Sequence, residues 1–228
     1  MIANGERIGL NAVDDGKKVC TVTRKSLLVA WVVGLVLILL GYFVIDQPVA
    51  YWAHAGDLRS LAWPNLMTHV ADWLTALAVL LVIVLGLGRQ LLPLHRHRCF
   101  VFAFSVLVAK GVKDSLKPVF GRYWPETWTH GNPSLIHNQA YGFNWFHGGD
   151  WYASFPSGHT TVAYAAAVAI ALCWPRLRGL SVVIAAVVPV GLLLCNYHFF
   201  SDVVAGGLLG ASVAVLVIKV MGVASKGR

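Results

Sequence analysis

The sequence predicts an all-α protein: a polytopic membrane bundle of six transmembrane helices, with an ordered outer loop between the third and the fourth. Composition is the first reason, because 57% of the 228 residues are hydrophobic and 12% are charged, whereas soluble domains carry roughly 25% charged residues. The mean hydropathy of +0.67 points the same way. The nine tryptophans and seven tyrosines fit the aromatic belts at the two surfaces of a membrane.

Six apolar segments divide the chain and are predicted to be the membrane spans. The first runs for twenty residues without a charge, which suffices to cross a hydrocarbon core of about 30 Å. The third becomes charged in its last two turns, and a short turn with two arginines separates the fourth from the fifth. The spans are expected at residues 26–45, 70–88, 99–116, 157–174, 180–197 and 202–220.

The distribution of lysine and arginine predicts the orientation. With the N-terminus inside the cell, thirteen of these residues lie on the cytoplasmic side and five on the outer side, in line with the excess of both residues in cytoplasmic loops. We therefore expect a cytoplasmic segment at 1–25, a six-span membrane domain at 26–220 and a cytoplasmic tail at 221–228. No clear cleavage site follows the first span, which indicates an uncleaved signal anchor and a multi-pass protein of the plasma (inner) membrane.

Composition and spacing also exclude several kinds of partner. The net charge of +8 is spread over short segments between the spans, so no basic patch indicates nucleic acid. The four cysteines are scattered without a CxxC spacing, which supports neither a zinc site nor a disulfide framework. The long loop at about 118–155 holds eleven aromatic residues and is expected to form an ordered cap on the outer face.

A stripe of lysines stands at the outer end of the third span. Lys110, Lys113 and Lys117 have the helical spacing i, i+3 and i+7, so they share one face with Asp114. One interpretation is that these lysines extend to the membrane surface. Three of them on one stripe favour an anion site instead, because ionisable residues within a membrane usually face a bundle interior or a wet cavity.

Two further polar clusters stand at the starts of helices. Ser157, Gly158 and His159 begin an apolar run, and a helix start with free N–H groups, a hydroxyl and an imidazole suits the handling of phosphate. His198 lies one helical turn before Asp202, an arrangement that fixes the tautomer of a histidine and makes it a nucleophile or a base. Both clusters also admit an ordinary interpretation as helix caps.

The predicted topology brings the three clusters together. The end of the third span, the start of the fourth and the junction between the fifth and sixth all fall on the outer face at one membrane depth. Unrelated helix caps would not need to converge with a basic stripe. The convergence therefore favours a single active site.

Taken in order, these motifs resemble the type 2 phosphatidic acid phosphatase family, the membrane-embedded lipid phosphate phosphatases. The resemblance covers about residues 26–220 and includes the six spans. Its most specific element is Pro-Ser-Gly-His at the start of a span, whereas His-x3-Asp alone is weak. The motifs are Lys-x6-x-Pro from Lys117, Pro-Ser-Gly-His from Pro156 and His-x3-Asp from His198.

The resemblance implies a role for each motif residue. His198 would be the nucleophile that takes the phosphoryl group, and Asp202 would orient it. His159 would protonate the leaving oxygen and later activate water. No metal or cofactor would be needed, because cations and N–H groups supply the electrostatic stabilisation. The phosphate oxygens would be bound by Lys117, Ser157 and the backbone N–H of Gly158.

Two departures from the family pattern concern arginines that bind phosphate. Trp124 stands where the family has the arginine of an Arg-Pro pair, and Leu192 stands where it has an arginine six residues before the last histidine. Arg122 matches a Gly-Arg that is frequent in the family. Arg122 and Lys113 are therefore expected to bind phosphate and to compensate for the two missing charges.

The sequence thus predicts a metal-independent phosphatase that hydrolyses a lipid phosphate or pyrophosphate through a phosphohistidine at the outer membrane face. Its partners would be the phosphorylated lipid and the surrounding membrane lipids. Three alternatives stay open: a lipid-linked phosphotransferase, a non-catalytic phospholipid-binding protein and an anion transporter. Gly206 and Gly210 form a GxxxG pair that fits helix packing within the bundle or a homodimer.

Overall fold

The structure is a computed structural model that describes residues 23–88, 90, 92, 95–128 and 130–222. Within these residues the regular secondary structure is helical, with isolated bridge pairs in place of strands. The all-α prediction is confirmed for this part of the chain. The predicted cytoplasmic segments at 1–25 and 221–228 fall almost wholly outside the described residues.

The helices follow the apolar segments of the sequence. A π-helical segment at Gly41–Ile45 joins the first helix to the second without a break, and α5 is a single turn. Each of the six predicted spans overlaps one of the long helices. In chain order the helices are α1 (Arg24–Leu40), α2 (Asp46–Ala55), α3 (Ala62–Leu87), α4 (Arg96–Phe120), α5 (Leu135–Asn138), α6 (Gly158–Cys173), α7 (Arg178–Leu194) and α8 (Phe200–Met221).

Within the part of the chain that the structure describes, four helical stretches are long and apolar enough to cross a membrane. They are Arg24–Ala55, Ala62–Leu87, Pro175–Leu194 and Phe200–Met221. The helix α4 has 25 residues but carries the lysine stripe in its last three turns, and α6 has only 16 residues. The structure therefore shows a helical protein with several membrane-length helices, and the count of six spans stays a prediction.

The helix α6 lies at the centre of the bundle. It packs against α8, α4, α7 and α3, and its buried face is rich in alanine. Such small side chains let neighbouring helices approach closely. The glycines of α8 take part in the same packing, because a Cβ at Gly206 or Gly210 would meet the backbone oxygen of Ser157 or Thr161 on α6. The GxxxG pair is therefore used inside the chain, and the homodimer stays a prediction without support from it.

The connection between α4 and α6, residues 121–157, folds back over one end of the bundle. Gly121 ends α4 with φ +56°, and a Cβ at this position would collide with the backbone oxygen of Asn144. Only glycine suits both conditions. The turn directs the side chain of Arg122 into the protein, where it is buried. The backbone oxygen of Arg122 accepts a hydrogen bond from Ser154 N–H at 3.3 Å.

Candidate active site

His198 and Asp202 form the most buried polar pair of the predicted site. His198 Nδ1 lies 3.6 Å from Asp202 Oδ2, and both side chains are buried. The same Oδ2 accepts hydrogen bonds from Ser154 Oγ at 2.7 Å and from the backbone N–H of Phe199 at 2.9 Å. Because Nδ1 faces the carboxylate, Nε2 is the imidazole nitrogen left to meet a substrate.

The surroundings of His198 favour the neutral imidazole. Burial lowers the pKa of His198 below its ordinary value, and the neighbouring carboxylate of Asp202 opposes this effect without cancelling it. A neutral ring has an unprotonated nitrogen and is the form that can attack phosphorus. The burial of His198 thus suits a nucleophile at neutral pH.

Arg122 holds Asp202 from the side opposite His198. Its NH1 donates to Asp202 Oδ1 at 2.5 Å and to Ser201 Oγ at 2.6 Å. Its NH2 donates to Asp46 Oδ2 at 2.7 Å and to the Tyr141 hydroxyl at 3.3 Å. Arg122 and both carboxylates are completely buried. One guanidinium therefore bridges two buried carboxylates from different helices.

Aromatic rings enclose the same guanidinium. Burial alone disfavours its charge, yet Asp202 and Asp46 together raise the pKa of Arg122 above its ordinary value. The Arg122 side chain is completely buried, NH1 and NH2 both donate to protein oxygens, and Nε has no hydrogen-bond partner among the described residues. The expected role of Arg122 in binding phosphate stays a prediction, and its geometry favours positioning of Asp202 instead. The rings are those of Tyr42, Tyr141, Phe143, Phe155 and Phe199.

Asp46, which sequence reasoning missed, owes its place to the π-helical segment before it. Asp46 is the first residue of α2, and its Oδ1 accepts a hydrogen bond from the backbone N–H of Ser201 at 2.9 Å. Gly41 allows this approach, because a Cβ there would lie 3.0 Å from Ser201 Cβ. In the sequence Asp46 directly follows an apolar span, where it is indistinguishable from a residue that marks the end of a helix.

The start of α6 presents the Pro-Ser-Gly-His motif as a helix cap. Ser157 Oγ accepts a hydrogen bond from the backbone N–H of Thr160 at 3.5 Å, so the ordinary interpretation of Ser157 as a cap is realised. Its own backbone N–H donates to Asp202 O at 3.1 Å. Lys113 lies directly against Gly158, since a Cβ there would come within 2.8 Å of Lys113 Nζ. An ammonium group thus stands beside the positive end of a helix.

Trp124 lies beside His198 in the candidate site. Its ring centroid lies 5.2 Å from that of His198, and Lys117 Nζ lies 5.8 Å from the same Trp124 centroid. The indole Nε1 donates to Asp150 O at 2.7 Å, which fixes the ring. Of the two departures from the family pattern, Trp124 therefore lies at the site, whereas Leu192 is buried in the hydrophobic core.

His159 lies on the first turn of α6 and meets a carboxylate from another helix. Its Nε2 lies 3.4 Å from Asp72 Oδ1 on α3, and the other oxygen of Asp72 lies 3.3 Å from His69 Nδ1. Lys113, Lys117 and His198 are also close enough to influence the charge of His159. Sequence reasoning missed Asp72, although an acidic residue inside an apolar span is a signal in itself.

The structure thus brings most of the predicted site residues to one end of the bundle. His198, Asp202 and Ser157 are joined by hydrogen bonds or ion contacts. Trp124 lies next to His198, and Lys117 lies next to Trp124. Lys113 also pairs with Asp114 at 2.5 Å.

No group of three or more His, Cys, Asp and Glu side chains among the described residues is arranged to hold a metal ion, and metal-independent catalysis stays a prediction.

Comparison of the sequence with known proteins finds a matching family and similar proteins. A family model described as the PAP2 superfamily matches residues 98–226. A protein of Rhizobium etli named lipid A 1-phosphatase is 28% identical over 191 residues, which cover 78% of this chain and 77% of that protein. A protein of Rhizobium johnstonii with the same name is 28% identical over 194 residues, which cover 78% and 74%.

A solved structure shares the fold. It is described as the first transmembrane PAP2 type phosphatidylglycerolphosphate phosphatase, from Bacillus subtilis, and it superposes with a TM-score of 0.54 at 20% sequence identity. The match covers 85% of this chain and 94% of that one. The resemblance found in the sequence motifs is therefore confirmed by independent comparisons of both sequence and fold.

Proposed function

This chain belongs to the PAP2 superfamily, and we propose that it is a membrane phosphatase that hydrolyses a lipid phosphate through a phosphohistidine on His198. The observation that carries the proposal is the meeting of cations and a buried nucleophile at the start of α6. Lys113 lies against Gly158 at this helix start, and Lys113 and Lys117 both act electrostatically on His159 in its first turn. A phosphate placed there would be bound by ammonium groups and free N–H groups together.

The first chemical step follows from the orientation of His198. Its Nε2 attacks phosphorus while Asp202 accepts a hydrogen bond from Nδ1–H and stabilises the positive charge that forms on the ring. The bond between phosphorus and the leaving oxygen breaks. A proton from His159 passes to that oxygen, so the lipid departs as a neutral hydroxyl compound.

The second step returns the site to its starting state. His159, now neutral, removes a proton from a water molecule, whose oxygen attacks phosphorus. The bond between phosphorus and His198 Nε2 breaks, and inorganic phosphate leaves. Lys113, Lys117 and the backbone N–H of Gly158 bind the phosphoryl oxygens in both steps and stabilise their developing charge. The residues named here suffice for the chemistry without a metal ion.

We further propose that the chain spans the membrane six times, with both termini in the cytoplasm and the site at the outer face. The four membrane-length stretches support this arrangement, and α4 and α6 would supply the other two spans. The charged end of α4 would then face the site and the aqueous surface. Reporter fusions at Arg96 and Asn138 test the topology, because both positions on one side of the membrane would overturn it.

The names of the relatives suggest the class of substrate. Two are called lipid A 1-phosphatase, and we infer that a phosphorylated glycolipid belongs among the candidate substrates beside glycerophospholipids. Phosphate release by the purified protein should be measured on lipid A, phosphatidate, phosphatidylglycerol phosphate and a polyprenyl pyrophosphate. His198→Ala is the matched inactive control, and a chelator arm tests the metal requirement.

The outcomes of this screen separate the alternatives. Release of phosphate that depends on His198 and survives the chelator supports the proposal. Binding of phosphorylated lipids without release indicates a non-catalytic relative, and transfer of phosphate to a second lipid indicates a phosphotransferase. Loss of activity with the chelator would contradict the metal-independent mechanism.

A further inference from the structure

We propose that Asp72 is a positioning residue for His159, the acid of the proposed reaction. The proposal deepens the proposed function and rests on it. Asp72 Oδ1 lies 3.4 Å from His159 Nε2, much as Asp202 Oδ2 lies 3.6 Å from His198 Nδ1. Each of the two histidines therefore has a carboxylate of its own, and the two carboxylates come from different helices.

The position of Asp72 makes a merely structural role unconvincing. It is the one acidic residue in α3, a helix of 26 residues that is otherwise largely apolar. Its side chain is 60% exposed, so it does not fill a gap in the core. A carboxylate within a membrane-spanning helix costs free energy, and such residues usually serve a function. The imidazole of His159 is the partner that α6 presents to Asp72.

The electrostatic surroundings explain why His159 needs such a partner. Two ammonium groups from α4, those of Lys113 and Lys117, face it, and His198 faces it from the junction of α7 and α8. All three disfavour a protonated His159 when they are charged. Asp72 on α3 is the group that favours protonation. Its negative charge therefore acts in favour of the protonated form, from which His159 would donate to the leaving oxygen.

The contact also orients the ring. A protonated imidazole carries two N–H groups, and one of them donates to Asp72. The other N–H remains for the leaving oxygen. His69 occupies the second oxygen of Asp72 at 3.3 Å, which limits the rotation of the carboxylate. Asp72 thus contributes both the charge and the direction of the acid, without contact with the substrate.

The test compares two phosphate esters that differ in their need for a proton. The dodecyl group leaves as an unstable alkoxide unless its oxygen is protonated, whereas the p-nitrophenyl group leaves as a stable phenolate. Asp72→Asn should lower kcat/KM about tenfold for dodecyl phosphate and less than about threefold for p-nitrophenyl phosphate. The basic limb of the pH profile should move to lower pH by about half a unit or more, because His159 loses a group that favours its protonated form.

Three controls keep the result interpretable. Asp72→Glu should retain most of the wild-type activity, because it keeps the carboxylate, and the thermal unfolding of every variant in detergent reports its folding. Asp57→Asn, an exposed residue remote from the site, should match the wild type. If Asp72→Asn is folded and its losses are equal for both esters with an unshifted pH profile, the proposal is wrong. A wild-type protein that hydrolyses neither ester nor any lipid of the panel would instead contradict the proposed function.

Discussion

Arg122 and Asp202 form a buried ion pair in which the guanidinium and His198 face different oxygens of one carboxylate. Arg122 NH1 donates to Oδ1 at 2.5 Å, and His198 lies against Oδ2. Arg122 therefore helps to set the geometry of the His198–Asp202 pair from the side of Asp202 opposite His198. Asp46 on the far side of the guanidinium completes a chain of charges that runs from α2 to His198.

We expect Arg122→Ala to destabilise the protein and not only to slow it. The change leaves Asp46 and Asp202 buried without a cation, and removal of one partner from a buried ion pair costs about 3–5 kcal/mol. Thermal unfolding in detergent should show a large drop in Tm. Asp46→Asn combined with Arg122→Ala should recover part of that loss, because it removes one unpaired charge. An unchanged Tm with a large rise in KM would show that Arg122 binds phosphate after all.

In contrast to Arg122→Ala, substitution of Lys113 or Lys117 on α4 should lower activity without lowering stability. Lys117→Ala and Lys113→Ala should each lower kcat/KM by about 2 kcal/mol, roughly 30-fold, the typical value of a hydrogen bond to a charged group. Their Tm should stay close to that of the wild type. Lys110→Ala is the matched control, since among the described residues its ammonium pairs with the exposed Asp114 alone. Equal losses for all three lysines would indicate a general effect of surface charge and not a phosphate site.

Ser154 offers a test of the support for Asp202. Its Oγ donates to Asp202 Oδ2 at 2.7 Å and lies 3.5 Å from His198 Nδ1, so it steadies both members of the dyad. Ser154→Ala should lower kcat roughly tenfold, because a buried carboxylate loses one donor. The control is Ser105→Ala, whose hydroxyl only donates to a carbonyl of its own helix. A normal kcat in Ser154→Ala would remove Ser154 from the functional network.

The site was predictable from the sequence only as far as motifs and topology reach. Apolar runs locate the long helices. Because successive spans end on alternate sides of the membrane, the sequence also predicts that His198 and the lysines of α4 lie on the same side. The orientation of Arg122 was not predictable, because spacing does not tell which side of Asp202 an arginine occupies. Asp46 was hidden at the end of a span, where its burial depends on the π-helical segment. The carboxylate of Asp72 did carry a signal, its place within an apolar run.

The pH dependence of kcat/KM should reflect the burial of His198. The proposed nucleophile must be neutral to attack, and burial lowers the pKa of His198 below its ordinary value, about 6.5. Activity should therefore persist as the pH falls through 6.5, and the acid limb should lie below that value. Esters whose phosphate groups differ in pKa separate ionisation of the enzyme from that of the substrate. An acid limb that stays above pH 6.5 for all of them would contradict a neutral, buried nucleophile.

The backbone hydrogen bond from Ser157 to Asp202 has a mechanical consequence. It joins the first turn of α6 to the first turn of α8, and Gly206 and Gly210 keep the two helices in close contact below it. The supports of both histidines should therefore move as one rigid body. Motions that open the proposed site are therefore expected in α3, in α4 or in the connection between α4 and α6, which carry Asp72, the two lysines and Trp124.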